Sequence, residues 1–371
     1  MNIAFFGSPH IAATILEAVH KRFPVSLVVT QPDKQVGRKQ TLTPTPVKLF
    51  STRSAIHTVT NTSINRFIEV LRKKKIDLAV VVAYGEIISK ELLDVPKFGF
   101  INVHYSLLPK YRGASPVQWA LLNGDKETGV TIMQMDEELD HGPIIAQKTI
   151  PIETGLKPVS TIADTTASLL DKLTETACSC LINILHQVSK TRRLPPATPQ
   201  NHESETYTRR LIKQDGFIPF TTIQKAVNNE QLSFSDLPQL QQEIFKSGLR
   251  LTIGDLSGGA ISRSAGRFAL HNFIRAMYPW PGAWTILPNG KRCKIISSRL
   301  ISRSPEFDTR HPELDSGSKN ETKEEQMLKP SFANYFGRAQ QVQRDTLVIT
   351  QIQIEGKQTT EDSNLINNLF R

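Results

Sequence analysis

The sequence predicts an α/β fold in which a doubly wound, mostly parallel sheet precedes a smaller β-rich domain. Strand and helix signals alternate along the first half of the chain, and the strand at 78–84 is apolar on both faces. Short β-like runs with little helix between them follow in the second half. Alternating signals are typical of βαβ units, and a strand that is apolar on both faces belongs in the middle of a parallel sheet.

The first half contains the predicted sheet and the helices that cover it. Ile11, Ile15 and Val19 recur at helical spacing after the first strand, and residues 64–75 and 160–187 repeat this pattern. Each helical segment connects or follows strands, as a doubly wound sheet requires. The predicted strands are 3–6, 25–30, 78–84, 98–104 and 129–135.

The second half begins where the helical periodicity breaks. Residues 189–206 are rich in proline and polar side chains, which predicts a linker between a first domain at 1–188 and a second at 207–371. Several short strands predict a small barrel or sheet in the second domain. These β-like runs are 249–253, 267–270, 284–287, 293–297 and 347–354.

Composition restricts the possible function classes. The chain carries 45 Lys and Arg against 35 Asp and Glu, a net charge of +10, which favours a nucleic-acid partner, with a merely solvated basic surface as the alternative. No stretch approaches the roughly 18 apolar residues of a membrane span, and the N-terminus lacks a signal-peptide pattern. Three cysteines without partners at ligand spacing predict neither disulfides nor a metal site. We therefore expect a cytoplasmic protein with reduced thiols and no membrane partner.

The densest chemistry lies at 102–142. Asn102 and His104 stand two apart at the end of a predicted strand, so they share one face at the edge where open α/β sheets bind ligands. An amide and an imidazole in this position are suited to holding an oxyanion. Asp140, in an acidic turn, is a candidate partner of His104, although the adjacent His141 competes for that role. Taken alone, these residues also fit a turn asparagine, a structural histidine and a capping aspartate.

Several segments resemble a known enzyme family. Residues 102–116 read NVHYSLLPKYRGASP and residues 127–143 read ETGVTIMQMDEELDHGP, and both are similar to the signatures of the 10-formyltetrahydrofolate-dependent formyltransferases. Within that superfamily the chain most resembles the methionyl-tRNA formyltransferases. Their tRNA-contacting loop, the opening of their C-terminal domain and their Pro-Trp-Pro-Gly motif are similar to residues 31–48, 213–216 and 279–282, respectively.

The resemblance implies a fold, a reaction and a set of site residues. The expected fold is a Rossmann-like catalytic domain followed by an OB-like barrel that binds tRNA. The expected reaction is direct formyl transfer from 10-formyltetrahydrofolate to the α-amine of initiator methionyl-tRNA, with no metal and no obligate protein partner. Asn102 and His104 would bind the oxyanion, and Asp140 would orient His104 and help to remove the amine proton. The family's folate-binding segment corresponds here to Ser106, Leu107, Leu108 and Pro109.

A basic loop is the expected contact with the acceptor end of tRNA. Residues 34–53 hold five basic residues and no acidic one, and Gly37, Pro44 and Pro46 predict that the loop is not helical. Such a loop is suited to phosphate contacts, although a solvated basic loop has the same composition. The tRNA-binding residues implied by the resemblance are Lys34, Arg38, Lys39 and Lys48.

Some features depart from the family pattern. Tyr105 stands where the tRNA enzymes have a small residue, which places the fine geometry of the folate pocket in question. Extra sequence lies near 224–268 and 301–331, within the second domain.

Three other functions compete with this interpretation. A sugar-nucleotide amine formyltransferase shares the catalytic triplet, but nothing in its function explains the basic loop. A catalytically silent RNA-binding module does not explain the intact triplet. A nicotinamide dehydrogenase is the least favoured, because Gly7-Ser8-Pro9 lacks the spacing that pyrophosphate binding needs.

Overall fold

The computed structural model describes residues 1–37, 39–60, 64–154, 162–246, 263–302 and 345–370. The chain forms two compact units. The first comprises Met1–Glu153 and Asp164–Ile212, and the second comprises Thr154–Ala163 and Lys213–Arg371. The main boundary along the chain therefore lies at Ile212.

A seven-stranded sheet forms the centre of the first unit, in the order β10-β9-β7-β6-β1-β2-β5. The five strands from β7 to β5 run parallel, and β9 and β10 are antiparallel to their neighbours. The predicted doubly wound, mostly parallel sheet is thereby confirmed. The strands of the sheet are β1 (Ile3–Gly7), β2 (Val25–Thr30), β5 (Thr58–Thr60), β6 (Leu78–Val82), β7 (Phe100–His104), β9 (Glu127–Gln134) and β10 (Ile144–Pro151).

Helices cover both faces of this sheet. Phe6, Val81 and Phe100 pack on one face with Phe67 and Leu92 from α3 and α4, while α1 packs on α2 and α6. Every residue of β1 and β6 is buried, which is why these strands read as continuous apolar runs. The helices are α1 (His10–His20), α2 (Pro46–Arg53), α3 (Ile64–Lys73), α4 (Lys90–Leu93), α5 (Pro116–Asn123) and α6 (Thr166–Thr191).

The basic loop contains regular structure that the sequence analysis did not predict. A small hairpin of β3 (Lys34–Val36) and β4 (Thr41–Thr43) is followed by helix α2. The prediction that the whole segment is non-helical is wrong. Thr45 accepts a hydrogen bond from the backbone N–H of Lys48 and caps the helix, and Pro46 occupies its first turn, where proline is favoured.

Much of the expected linker at 189–206 packs against the first unit. Helix α6 continues to Thr191, and the backbone N–H of Thr198 donates to the carbonyl oxygen of Ile144 at 2.8 Å. Just beyond it, β11 (Tyr207–Thr208) pairs with β8 (Arg112–Gly113). Residues 198–208 therefore form a peripheral layer of the first unit, which we call the strap.

The second unit has an antiparallel sheet in the order β12-β13-β14-β15. Its strands are β12 (Ala283–Ile286), β13 (Arg292–Ser302), β14 (Asp345–Ile354) and β15 (Thr359–Thr360). Its helices are α7 (Phe220–Val227), α8 (Gln239–Lys246), α9 (Arg263–Met277) and α10 (Ser363–Phe370). The expected β-rich second domain is thus present, with strands at three of the five β-like runs.

The other two β-like runs have different outcomes. The run at 267–270 is wrong, because it lies inside α9, and four apolar-rich residues cannot be assigned to helix or strand by periodicity alone. The run at 249–253 lies outside the described residues. Of the two expected insertions, 224–268 includes α8 and parts of α7 and α9, with 247–262 undescribed, and 301–331 is undescribed beyond Ser302.

Two further observations concern the cysteines and the helices. Cys178, Cys180 and Cys293 carry free thiols. Among the residues that the structure describes, no helix has the length and apolar character needed to cross a bilayer.

Candidate active site

The three candidate catalytic residues converge at the end of β7. The side-chain amide of Asn102 donates to Oδ1 of Asp140 at 3.2 Å, and Oδ2 of Asp140 lies 3.5 Å from Nδ1 of His104. His104 and Asp140 are buried, whereas Asn102 is half-buried. The period of two along β7 places Asn102 and His104 on one face, and the turn after β9 brings Asp140 to them.

Asp140 occupies an unusual backbone conformation. Its φ of 51° lies in the left-handed region, which L-residues other than Asn and Asp seldom adopt. Its carboxylate also accepts the backbone N–H of Gly113 at 2.8 Å. The carboxylate therefore faces three groups, from β7 and from the loop that follows it, and this fixes its direction.

His104 is held from both sides of its ring. Nε2 lies 2.8 Å from the carbonyl oxygen of Tyr111, and because a carbonyl can only accept, Nε2 carries the proton. Nδ1 faces the Asp140 carboxylate. Both ring nitrogens therefore lie beside oxygen atoms, one of a backbone carbonyl and one of a carboxylate. These two neighbours fix the orientation of the ring next to Asn102.

The loop after β7 carries the expected folate-binding residues, and the structure separates them into two kinds. Ser106 and Leu108 are buried. The Ser106 hydroxyl donates to the Lys110 carbonyl oxygen at 2.6 Å, and the Leu108 backbone N–H donates to Thr131. Leu107 and Pro109 stay partly exposed. Ser106 and Leu108 thus shape the loop, and Leu107 and Pro109 are accessible to a ligand.

An open cleft of about 1220 Å³ borders the turn that carries Asp140. The side chains of Phe98 and Met135 supply an apolar wall, and those of Lys97 and Arg192 supply positive charge. Ser106–Pro109 do not line it. The Asp136–His141 turn borders both the cleft and the three candidate catalytic residues. Other residues of this turn line the cleft, whereas the side chain of Asp140 faces β7.

His141 does not compete with His104 for Asp140. Its Nδ1 lies 2.7 Å from Oδ2 of Asp136, and its ring stacks on that of His202 with the centroids 4.2 Å apart. The ring that faces the Asp140 carboxylate is therefore that of His104 and not that of His141.

Two buried neighbours of the site were missed by sequence reasoning, Arg112 and Gln200. Gln200 donates to the carbonyl oxygen of Asp140, and Arg112 donates to Gln200. Gln200 stands in a proline-rich polar stretch that is typical of a linker, so its own segment gave no signal. Arg112 stands in a loop motif where a charged residue would ordinarily be exposed.

The tRNA-binding candidates lie on the hairpin and on α2. Lys34 donates to Oε1 of Gln31 at 2.6 Å, and Lys39 is exposed in the hairpin turn. Lys48 forms an ion pair with Asp33, with its Nζ 2.8 and 2.9 Å from the two carboxylate oxygens. Arg38 lies outside the described residues.

Tyr105 does not share the face of the candidate site. Its neighbours Asn102 and His104 face Asp140, whereas its hydroxyl bonds to Thr174 of α6 at 2.8 Å on the opposite side of β7. Burial raises the pKa of the Tyr105 hydroxyl. Packing against α6 therefore accommodates a tyrosine where the family has a small residue. No group of three or more potential metal ligands lies within the described parts of the chain.

Comparison of the chain with known proteins identifies its family. The N-terminal formyl transferase domain model matches residues 1–179, and the formyl transferase C-terminal domain model matches residues 259–369. The methionyl-tRNA formyltransferase of Agathobacter rectalis is 37% identical over 314 residues, which cover 83% of each chain. The chain belongs to the methionyl-tRNA formyltransferase family. The family's enzyme from Caldicellulosiruptor saccharolyticus is 44% identical over 59% of this chain and 68% of its own.

A solved structure supports the fold alone. The N-formyltransferase from Helicobacter canadensis, in complex with folinic acid and dTDP-3-aminofucose, superposes with a TM-score of 0.53 at 20% identity, covering 81% of this chain and 88% of that one. At this identity the similarity concerns the architecture and carries no substrate over to this chain.

Proposed function

We propose that this chain transfers the formyl group of 10-formyltetrahydrofolate to the free α-amine of methionyl-tRNA, using Asn102, His104 and Asp140. The observation that carries the proposal is the convergence of these side chains at the end of β7, in a chain of the methionyl-tRNA formyltransferase family. The product is the N-formylmethionyl-tRNA used in translation initiation, so we also propose a cytoplasmic location and the initiator tRNA as substrate.

The reaction is a direct acyl transfer. The α-amine attacks the formyl carbon, a carbon–nitrogen bond forms, and the carbonyl oxygen becomes an oxyanion. When this intermediate collapses, the bond between the formyl carbon and N10 of the folate breaks and N10 takes a proton. The attacking amine loses one proton in the same sequence. Neither a metal nor a covalent enzyme intermediate is required.

Asn102 is the donor best prepared for the oxyanion. Its amide carries two N–H groups, and Asp140 holds one of them, which orients the other. A preorganised donor of this kind contributes about 3 kcal/mol to stabilising the transition state. A direct hydrogen bond from His104 to the oxyanion requires its Nε2–H to leave the Tyr111 carbonyl oxygen.

Asp140 is the group that removes the amine proton, directly or through water. It supplies the carboxylate of the triplet, and a carboxylate is an ordinary proton acceptor in general acid–base catalysis. The same carboxylate lies 3.5 Å from Nδ1 of His104 and orients that ring. Both roles require the carboxylate to keep its position between Gly113 and His104.

The loop and the cleft support the folate part of the proposal. A folate presents a flat ring system and an anionic tail. The cleft beside the Asp136–His141 turn offers the partly exposed apolar side chains of Phe98 and Met135 with Lys97 and Arg192 nearby. We propose that Leu107 and Pro109 contact the co-substrate and that Ser106 and Leu108 hold the loop in shape.

The basic hairpin supports the tRNA part. Lys34, Lys39 and Arg38 are the residues that we propose to contact the acceptor end, and Lys48 is available after exchange of its Asp33 partner. The second unit, with its antiparallel sheet, is proposed as an additional tRNA surface. No obligate protein partner is proposed.

One assay tests the function. The purified chain is given 10-formyltetrahydrofolate together with initiator methionyl-tRNA, elongator methionyl-tRNA or a nucleotide-linked amino sugar. We expect formylation of initiator methionyl-tRNA at a kcat/KM at least about a hundredfold above that for the sugar, since binding energy from remote parts of a substrate raises kcat/KM. Efficient use of the sugar and none of the tRNA would overturn the proposal.

A further inference from the structure

The side chain of Gln200 connects the Asp140 turn to a buried arginine. Its Nε2 donates to the carbonyl oxygens of Asp140 and Gly142, at 2.9 and 2.8 Å. Its Oε1 accepts from Nη2 and Nε of Arg112, at 2.9 and 3.2 Å. Gln200 is only 5% exposed. An amide side chain has two donor hydrogens and two acceptor lone pairs, and all four are used here.

The orientation of this amide is fixed by chemistry. Two carbonyl oxygens can only accept and a guanidinium can only donate, so a flipped amide would place like groups against each other on both sides. Arg112 is fixed as firmly. Its remaining N–H groups bond to Glu205, to the Tyr207 hydroxyl and to Nδ1 of His202. All five N–H donors of Arg112 thus bond to residues of the strap, and two of these hydrogen bonds hold the Gln200 side chain in place.

The backbone that Gln200 contacts includes a residue in an uncommon conformation. Asp140 has a φ of 51°, a region that is disfavoured for L-residues and persists where the surrounding structure supports it. Gln200 binds the carbonyl oxygens on both sides of His141, one of them belonging to Asp140 itself. The direction of the Asp140 carboxylate, toward Asn102, His104 and Gly113, follows from this backbone conformation.

We propose that Gln200 is a positioning residue for the formyl transfer: through its two donated hydrogen bonds it holds the Asp140 turn in the left-handed conformation that aims the carboxylate at His104 and Asn102. Gln200 contacts neither substrate nor reacting atoms. The inference rests on the proposed function in that it takes Asp140 as a reacting group, while the conformational part of it concerns this chain alone.

Two substitutions separate this role from others. Gln200→Glu keeps the acceptor for Arg112 and strengthens it with a charge, but it places oxygen against the two carbonyl oxygens. Gln200→Met keeps the volume, adds no charge and removes both hydrogen bonds. If Gln200 served only to satisfy Arg112, Gln200→Glu would be fully active. We expect both variants to lose about tenfold to a hundredfold in kcat, the scale for a small displacement of a catalytic group, with KM for either substrate within about threefold.

Thr174→Val is the matched control. It removes a buried hydrogen bond from the opposite face of β7, between Thr174 and Tyr105, so it should lower the melting temperature while kcat stays within about twofold of the parent. A second readout needs no activity. Hydrogen exchange of the peptide containing Gly113, whose N–H is bound by the Asp140 carboxylate, should be faster in Gln200→Met and unchanged in Thr174→Val.

The outcomes distinguish the two claims. If the parent does not formylate methionyl-tRNA, the proposed function fails, and exchange at Gly113 still decides whether Gln200 sets the Asp140 turn. If the parent is active and folded Gln200→Met keeps its kcat or its protection at Gly113, the positioning role is overturned. If neither Gln200 variant folds, Gln200 is a residue of the fold rather than a positioning residue, and the proposal is likewise overturned.

Discussion

Nε2 of His104 lies 2.8 Å from the carbonyl oxygen of Tyr111, so the imidazole of the site is engaged by backbone before any substrate arrives. Tyr111 is itself anchored, because its hydroxyl donates to Asp125 at 2.6 Å and its backbone N–H donates to Thr206 at 2.8 Å. The loop after β7 therefore fixes the ring through a backbone atom, which no side-chain motif in the sequence reveals.

Removal of the catalytic side chains gives the first prediction. Asn102→Ala should lower kcat by about two to three orders of magnitude, the scale for losing one oxyanion donor. His104→Ala should be comparable and Asp140→Ala at least as severe, because residues that act as a unit are not additive. Folate binding, measured by calorimetry, should change little. Near-normal turnover of Asp140→Ala in single-turnover assays would contradict the assigned roles.

Salt dependence gives the second prediction. If the basic hairpin binds phosphates, the double variant Arg38→Ala, Lys39→Ala should weaken use of methionyl-tRNA more than use of folate. Each neutralised phosphate contributes a slope of about 0.7–0.9 in log K against log salt, so the double variant should show a shallower dependence than the parent. The measurement is kcat/KM for methionyl-tRNA at several salt concentrations. An unchanged slope with unchanged efficiency would remove the hairpin from the tRNA site.

The ion pair of Lys48 gives the third prediction. Because Asp33 already neutralises Lys48, Lys48→Met should change the salt slope for methionyl-tRNA by less than half as much as Lys39→Met. Asp33→Asn removes the competing carboxylate and should steepen the slope, while Asp33→Asn with Lys48→Met should return it toward the parent value. The same titration of kcat/KM against salt measures all four variants. Equal effects of Lys48→Met and Lys39→Met would show that a tRNA phosphate displaces Asp33 from Lys48.

His271 of α9 gives a prediction about pH. Burial, with a smaller contribution from Arg275, lowers the pKa of His271 from 6.5 to about 3. Below pH 6.5 the unfolded chain binds a proton that the folded chain does not, so stability falls as pH drops from 6.5 toward 3, by at most about 1.4 kcal/mol per pH unit. Above pH 6.5 this residue contributes no pH dependence.

The free energy of unfolding in urea, measured at pH 7.5, 6.5, 5.5 and 4.5, tests the predicted effect of His271. His271→Asn keeps a polar atom near the Ser298 hydroxyl that Nδ1 now contacts but cannot gain a proton in this range. The variant should therefore lose less stability than the parent between pH 6.5 and 4.5. Parallel pH profiles for the two proteins would assign the acid sensitivity to other groups.

The sequence was most informative where local pattern and tertiary environment agree. Strand β6 is buried along its whole length, and for this reason its apolar run predicted a central strand of the sheet. Asn102 and His104 were found because a spacing of two on a strand fixes a shared face. In both places the information is carried by residues close together in the chain.

The sequence was uninformative where structure depends on distant contacts. Gln200 lies 60 residues from Asp140 and 88 from Arg112 along the chain, and its own surroundings resemble a linker. Helix α2 was missed because Pro46 reads as a helix breaker, although at the first turn it favours a helix. The run at 267–270 was assigned to a strand because so short an apolar segment does not contain a full helical repeat.

The hairpin that carries Lys34 and Lys39 has a consequence for how the chain withstands proteases. Each of its strands has three residues, all of them exposed, and a two-stranded hairpin without a buried face is at best marginally stable in water. It should therefore open without unfolding the sheet behind it, and trypsin should then cut at Lys39. If tRNA binds to the hairpin as proposed, it would cover this peptide bond, so the rate of cleavage at Lys39 would measure tRNA occupancy.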